Sequence, residues 1–248
     1  MQRYFLEVAY KGTHYSGFQI QQNAVTIQSE VEKALTILFK QPFNLTGSSR
    51  TDAGVHALQN FFHFDTNVNI EPKQLYNLNS ILPFDIVAKE IYKVEDNAHC
   101  RFDAVSREYK YFIYMEKNPF LQETSWYYPF ALDIEMLKEV AALIPDYSDF
   151  TSFSKRNTQV KTFICNVESS SWAYENESLV YKVVSNRFLR GMVRGLVSTM
   201  LKTARNIISI DQFREIIELK DCTKAGFEAP AHGLFLMKVN YKETFAMK

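Results

Sequence analysis

In the run SREYKYFIYM, Ser106 to Met115, the two-residue period of an extended chain places Arg107, Tyr109, Tyr111 and Ile113 on one face and Glu108, Lys110, Phe112 and Tyr114 on the other. Rings on both faces mean a strand covered or used on both sides. Around it, strand and helix patterns interleave. Tyr4 to Tyr10 alternates as a strand and is closed by Lys11-Gly12 and the glycine-bounded loop GTHYSGF. Thr26 is a suitable N-cap for a helix in which Ile27, Val31, Leu35 and Leu38 recur at helical spacing, before Gln41-Pro42 stops it. Strands are expected over 43–48, 57–65 and 85–94, with a helix over 73–81.

The polar stretch Glu95 to Cys100 marks a boundary between a first half, 1–100, and a second, 101–248. The second half predicts a helix over 133–144, strands over 162–172 and 179–186, and a helix over 187–204. A short helix capped by Ser209, with Gln212 at the box position, and a final strand over 234–241 complete it. The fold class is α+β with mostly antiparallel strands.

Three cysteines, Cys100, Cys165 and Cys222, are too far apart for a CxxC pair and odd in number, so no disulfide framework is expected. The N-terminus has no apolar signal core, and no run approaches the roughly 18 apolar residues that span a membrane. A cytoplasmic protein without a membrane partner is the expectation. Twenty-eight basic and 28 acidic residues cancel, but Ser178 to Ile210 contains no Asp or Glu and six cations: Lys182, Arg187, Arg190, Arg194, Lys202 and Arg205. Read as a helix, RFLRGMVRGLVSTMLKTA sets Arg187, Arg190, Arg194, Ser198 and Arg205 opposite an apolar stripe. This is either a solvated polar face or a ridge for phosphates, which arginine binds through its planar fork.

Asp52 stands in the turn Arg50-Thr51-Asp52-Ala53-Gly54 between two expected strands. It is either an Asx-type turn residue or a reactive carboxylate held as an anion by arginine, Arg50 being the nearest in sequence. His63 and Asp65 share a strand face with His56 nearby, but no HExxH or HxH spacing supports a metal. Gly47-Ser48-Ser49 lacks the second glycine of a serine nucleophile elbow. His14, His99 and His232 read as polar surface or loop residues.

The stretch RTDAGVHA, Arg50 to Ala57, is similar to the signature of the TruA family of tRNA pseudouridine synthases. YKGTHYSGFQIQ, NSILPFDI, RFDAVSREYKYFIY, DFTSFSK, NRFLRGMVRGLV and PAHGLFLMKVNY resemble further blocks of that family in the same order, from Tyr4 to Tyr241. Lys11, Phe18 and Ser48-Ser49 depart from the family's usual residues, and Lys11 and Phe18 lie in a loop that the resemblance places on RNA. The resemblance implies two similar α+β halves sharing one extended antiparallel sheet. It implies isomerisation of uridine to pseudouridine on the 3′ side of the tRNA anticodon stem-loop, by a homodimer without cofactor or metal. Asp52 would be catalytic, Tyr109 would pack on the uracil, Arg194 would pair with the aspartate and Leu234 would close the base pocket. Arg50, Arg190, Arg187 and Lys11 would contact RNA or support the site. A synthase of the same fold acting on another RNA, and a non-catalytic tRNA-binding chaperone, are the alternative readings.

Overall fold

The computed structural model describes residues 1–71, 73–156 and 160–242. In chain order the elements are β1 (Gln2–Tyr10), α1 (Ile27–Phe39), β2 (Thr46–Gly47), β3 (His56–Thr66), α2 (Lys73–Ile81), β4 (Ile86–Val94), β5 (Ala104–Tyr114) and β6 (Trp126–Tyr127). There follow α3 (Ile134–Leu143), β7 (Val167–Glu175), β8 (Ser178–Ser185), α4 (Met192–Ala204), α5 (Ile210–Glu218) and β9 (Leu234–Tyr241). The expected α+β class is what forms: β1 pairs antiparallel with β3 and β4, and β8 antiparallel with β5 and β7. The short β6 runs parallel to β5.

Two compact units emerge, Met1–Val105 with Leu236–Lys248, and Ser106–Phe235. The sequence reading gave everything after residue 100 to the second half. The chain instead returns to its first unit. There Tyr241 packs its ring on Phe5 and Phe61, and Val239 N–H donates to Gln59 Oε1 at 3.1 Å.

In the first unit the hydrogen-bonded order is β4-β1-β3-β9. Phe5, Leu6, Val8, Phe61 and Phe62 of its strands are buried, as are Ile27, Val31 and Leu35, the apolar stripe of α1. Thr26 caps that helix, its side chain accepting from Ser29 N while Ser29 returns a bond to the cap backbone. The strand expected over 43–48 shrinks to Thr46–Gly47 for a visible reason. Leu45 satisfies its backbone on α1 instead of on a ladder, its N–H bonding Glu32 Oε1 at 2.9 Å and its carbonyl accepting from Gln28 Nε2 at 2.8 Å.

In the second unit the order is β5-β8-β7. The β5 face carrying Arg107, Tyr109, Tyr111 and Ile113 is buried, and the other face is half-buried. On that second face Lys110 lies directly opposite Lys182 of β8. Each lysine is offset by an acid, Lys110 by Glu175 at 2.7 Å and Lys182 by Glu108 at 3.2 Å. The strand expected from 162 begins only at Val167, because Phe163 and Cys165 bond Phe150 and Ser148 instead. The long helix expected from 187 starts at Met192. Gly191 takes φ +78°, a left-handed conformation that ends any helix reaching it from Arg187, and the Arg190 carbonyl accepts from Lys155 N.

Removing the α1 cap tests its weight. Thr26→Ala should lower unfolding free energy by about 1 kcal/mol in urea denaturation, with an unchanged m-value.

Candidate active site

Asp52 sits half-buried in a turn closed by Val55 N–H donating to the Asp52 carbonyl at 3.2 Å, with Gly54 at φ +78°. The opening loop after β1 holds this turn by backbone contact. Phe18 N–H donates to the Thr51 carbonyl at 3.1 Å. Gly17, at φ +100°, comes so close that a Cβ there would meet the same carbonyl oxygen at 3.0 Å. At Gly12 the approach is tighter still: a Cβ would lie 2.0 Å from the Val55 carbonyl oxygen. Gly12 N–H also donates to His56 Nδ1 at 3.0 Å, so a neutral His56 carries its proton on Nε2.

Side chains complete the cradle. The Tyr10 hydroxyl is 2.8 Å from Thr51 Oγ1 and accepts from Asn60 Nδ2, which also donates to the Ser49 carbonyl at 2.8 Å. Burial raises the Tyr10 phenol far above its ordinary range, so it serves here as a neutral hydrogen-bonding group. Within the loop that the resemblance places on RNA, the Phe18 side chain is turned inward. It is 1% exposed, stacks on Phe62 at 4.5 Å and lies where a side chain at position 47 would go. Ser48 and Ser49 are buried beside the turn, Ser48 N–H bonding the Phe61 carbonyl at 2.8 Å. Arg50 is exposed; Lys11 is half-buried, its N–H on the Asp85 carbonyl. Tyr10, Asn60 and His56 were missed as supporting residues, although the glycines of GTHYSGF signalled a close backbone approach.

The second unit holds the other candidates. Tyr109 is buried on β5, its ring edge-on to Phe188 at 4.9 Å. Arg194 lies in the first turn of α4 and donates from Nε to the Ala229 carbonyl at 2.6 Å. That bond belongs to a set that straps residues 226–230 onto α4. Ser198 Oγ accepts from Ala229 N, and Thr199 Oγ1 from Gly226 N. The Tyr111 hydroxyl then donates to the Pro230 carbonyl at 2.8 Å, and Leu234 is buried just beyond, at the start of β9.

The expected basic ridge therefore does not form as a helical face. Arg187 and Arg190 precede the helix, Ser198 is buried under the strap, and Lys202 pairs with Glu228 of the strap at 2.6 Å. Arg205 lies over the Phe130 ring at 3.9 Å. A segment without acids in sequence finds two acids, Glu108 and Glu228, and an aromatic ring in space.

His56, His63 and Asp65, weighed in sequence as a cluster without metal-ligand spacing, have separate partners. His56 is engaged with Gly12, and Asp65 is doubly bonded to Arg3 at 2.8 Å. His99, read as a surface or loop residue, is half-buried against His63 and Phe102.

A profile of the tRNA pseudouridine synthase family matches residues 7–103 and 147–242. The chain belongs to this family, and its enzyme class is isomerase. It is 44% identical to a Parabacteroides distasonis protein described as tRNA pseudouridine synthase A, over 98% of this chain and 97% of that one. It is 42% identical to the Bacteroides fragilis protein of the same description, over 98% of each, and 34% identical to one from Staphylococcus aureus, over 99% of this chain and 93% of that one. No helix among the described residues is long and apolar enough to cross a membrane.

Two substitutions test these placements. Gly12→Ala should cost about 1–3 kcal/mol of stability in chemical denaturation, because the Val55 carbonyl is backbone and must shift. Arg205→Ala should lower thermal stability by about 1 kcal/mol through the lost ring contact, with RNA affinity in filter binding little changed.

Proposed function

We propose that this chain converts uridine to pseudouridine on the 3′ side of the tRNA anticodon stem-loop, with Asp52 as the catalytic group. The bond between uracil N1 and ribose C1′ breaks, the base turns, C5 bonds C1′, and the C5 proton is lost as N1 regains one. Atoms and electrons balance within the nucleotide. A carboxylate acts either at C1′ or on a proton of sugar or base.

The observation that carries this reading is the cradle of Asp52, in which two glycines, Thr51, Tyr10 and Asn60 fix the turn on both sides. An ordinary Asx turn on a surface needs no such enclosure. Tyr109 supplies a ring for the extruded base, Leu234 an apolar wall, and Arg194 a counter-charge to Asp52. With Nε fixed on Ala229, the Nη groups of Arg194 serve that purpose. Arg50, Arg187, Arg190 and Lys11 contribute to phosphate contacts or to the support of the site. The reading includes action in the cytoplasm as a homodimer whose two copies share one RNA.

Asp52→Asn should bind tRNA transcript within about threefold of the parent while forming no pseudouridine in chemical mapping of unmodified total tRNA. Turnover by that variant would end the catalytic assignment. Modification of some other RNA alone by the parent protein would move the substrate, and no modification of any RNA would favour a chaperone.

A further inference from the structure

Where β3 meets residues 97–103 in the first unit, two imidazoles and a thiol come together. One donor atom from each of His63, His99 and Cys100 lies within 4.8 Å of the other two. His63 Nδ1 is 3.2 Å from Cys100 Sγ, and the His63 and His99 rings meet edge-on at 4.5 Å. The proposed isomerisation uses none of them.

We propose that His63, His99 and Cys100 bind one divalent cation of the zinc class. Thiolate with two imidazoles is a ligand set for zinc and not for magnesium or calcium, which take oxygen donors. Bonds of about 2.0 Å to nitrogen and 2.3 Å to sulfur put tetrahedral donors about 3.3–3.6 Å apart. The His63–Cys100 pair is already near that separation. His99 closes the remaining gap by a small movement of its half-buried side chain, which stands outside any helix or strand. Water takes the fourth position.

The surroundings favour the same occupant. Cys100 is fully buried and its carbonyl accepts from the Tyr241 hydroxyl at 2.5 Å, while His99 N–H donates to Asp103 Oδ2 at 2.7 Å, so both backbones are anchored. Binding displaces the hydrogen bonds of Cys100 Sγ with the Thr46 carbonyl and with His63 Nδ1, and ligation through His99 Nδ1 displaces that of Arg101 N–H, each at 3.2 Å. The thiol proton leaves to solvent as the sulfur–metal bond forms. The cation and thiolate together carry one positive charge, and Asp65 and Asp103 are the nearby anions, with Arg3 already committed to Asp65.

The test is a titration of chelator-stripped full-length protein with Co(II), whose thiolate charge-transfer band and tetrahedral visible bands report the donor set. One equivalent should bind with a sulfur-to-cobalt band, and zinc should bleach it. Cys100→Ala should abolish the band, His99→Gln should weaken binding, and Cys222→Ala should leave both intact. Zinc should raise the melting temperature of the parent and not of Cys100→Ala, with circular dichroism confirming that each variant folds. Absence of the band in the parent, its survival in Cys100→Ala, or its loss in Cys222→Ala would overturn the proposal.

Discussion

Backbone pressed on backbone, with no space for a methyl group, is the constraint on which the first unit's site depends. Gly12 meets Val55 and Gly17 meets Thr51 so closely that the loop after β1 and the turn before β3 form one rigid body. Phe18 then stacks on Phe62 of β3 and its carbonyl receives Gln28 N–H at the start of α1. Strand, loop, helix and turn are thereby fixed by one set of contacts. The backbone that carries the Asp52 carboxylate is thus held in one position.

The second unit fixes its arginine differently, by side chains that capture a backbone strap. Arg194, Ser198 and Thr199 on α4 each bond a main-chain group between Gly226 and Ala229. Buried backbone groups need partners, and here a helix supplies them where no ladder can. The strap therefore stands in for the solvent that a polar helix face ordinarily meets, and its path leads directly to Leu234.

Local signals were legible where one residue type decides the outcome. Thr26 and Ser209 cap their helices as read, α2 spans 73–81, and β9 spans 234–241. The Asp52 turn and its glycine were legible as well. Long-range satisfaction was not: Gln28 and Glu32 shorten a strand from seventeen and thirteen residues away, and Glu228 pairs with Lys202 while the Phe130 ring lies under Arg205. Gly191 was visible in sequence, but only its left-handed conformation separates Arg187 and Arg190 from the helix. The family blocks carried the function because they sum many such distant contacts into one pattern.

The facing lysines of β5 and β8 have a consequence for assembly of the second unit. Lys110 and Lys182 repel unless Glu175 of β7 and Glu108 of β5 keep their present ion pairs. Moving β8 along β5 by one residue would turn its one charged side chain, Lys182, to the opposite face, into the company of Tyr109 and Tyr111. The four charges thus work as an alignment key. They add little net stability at a partly wet surface, yet they make every neighbouring register worse than the one in which Tyr109 faces its proper side.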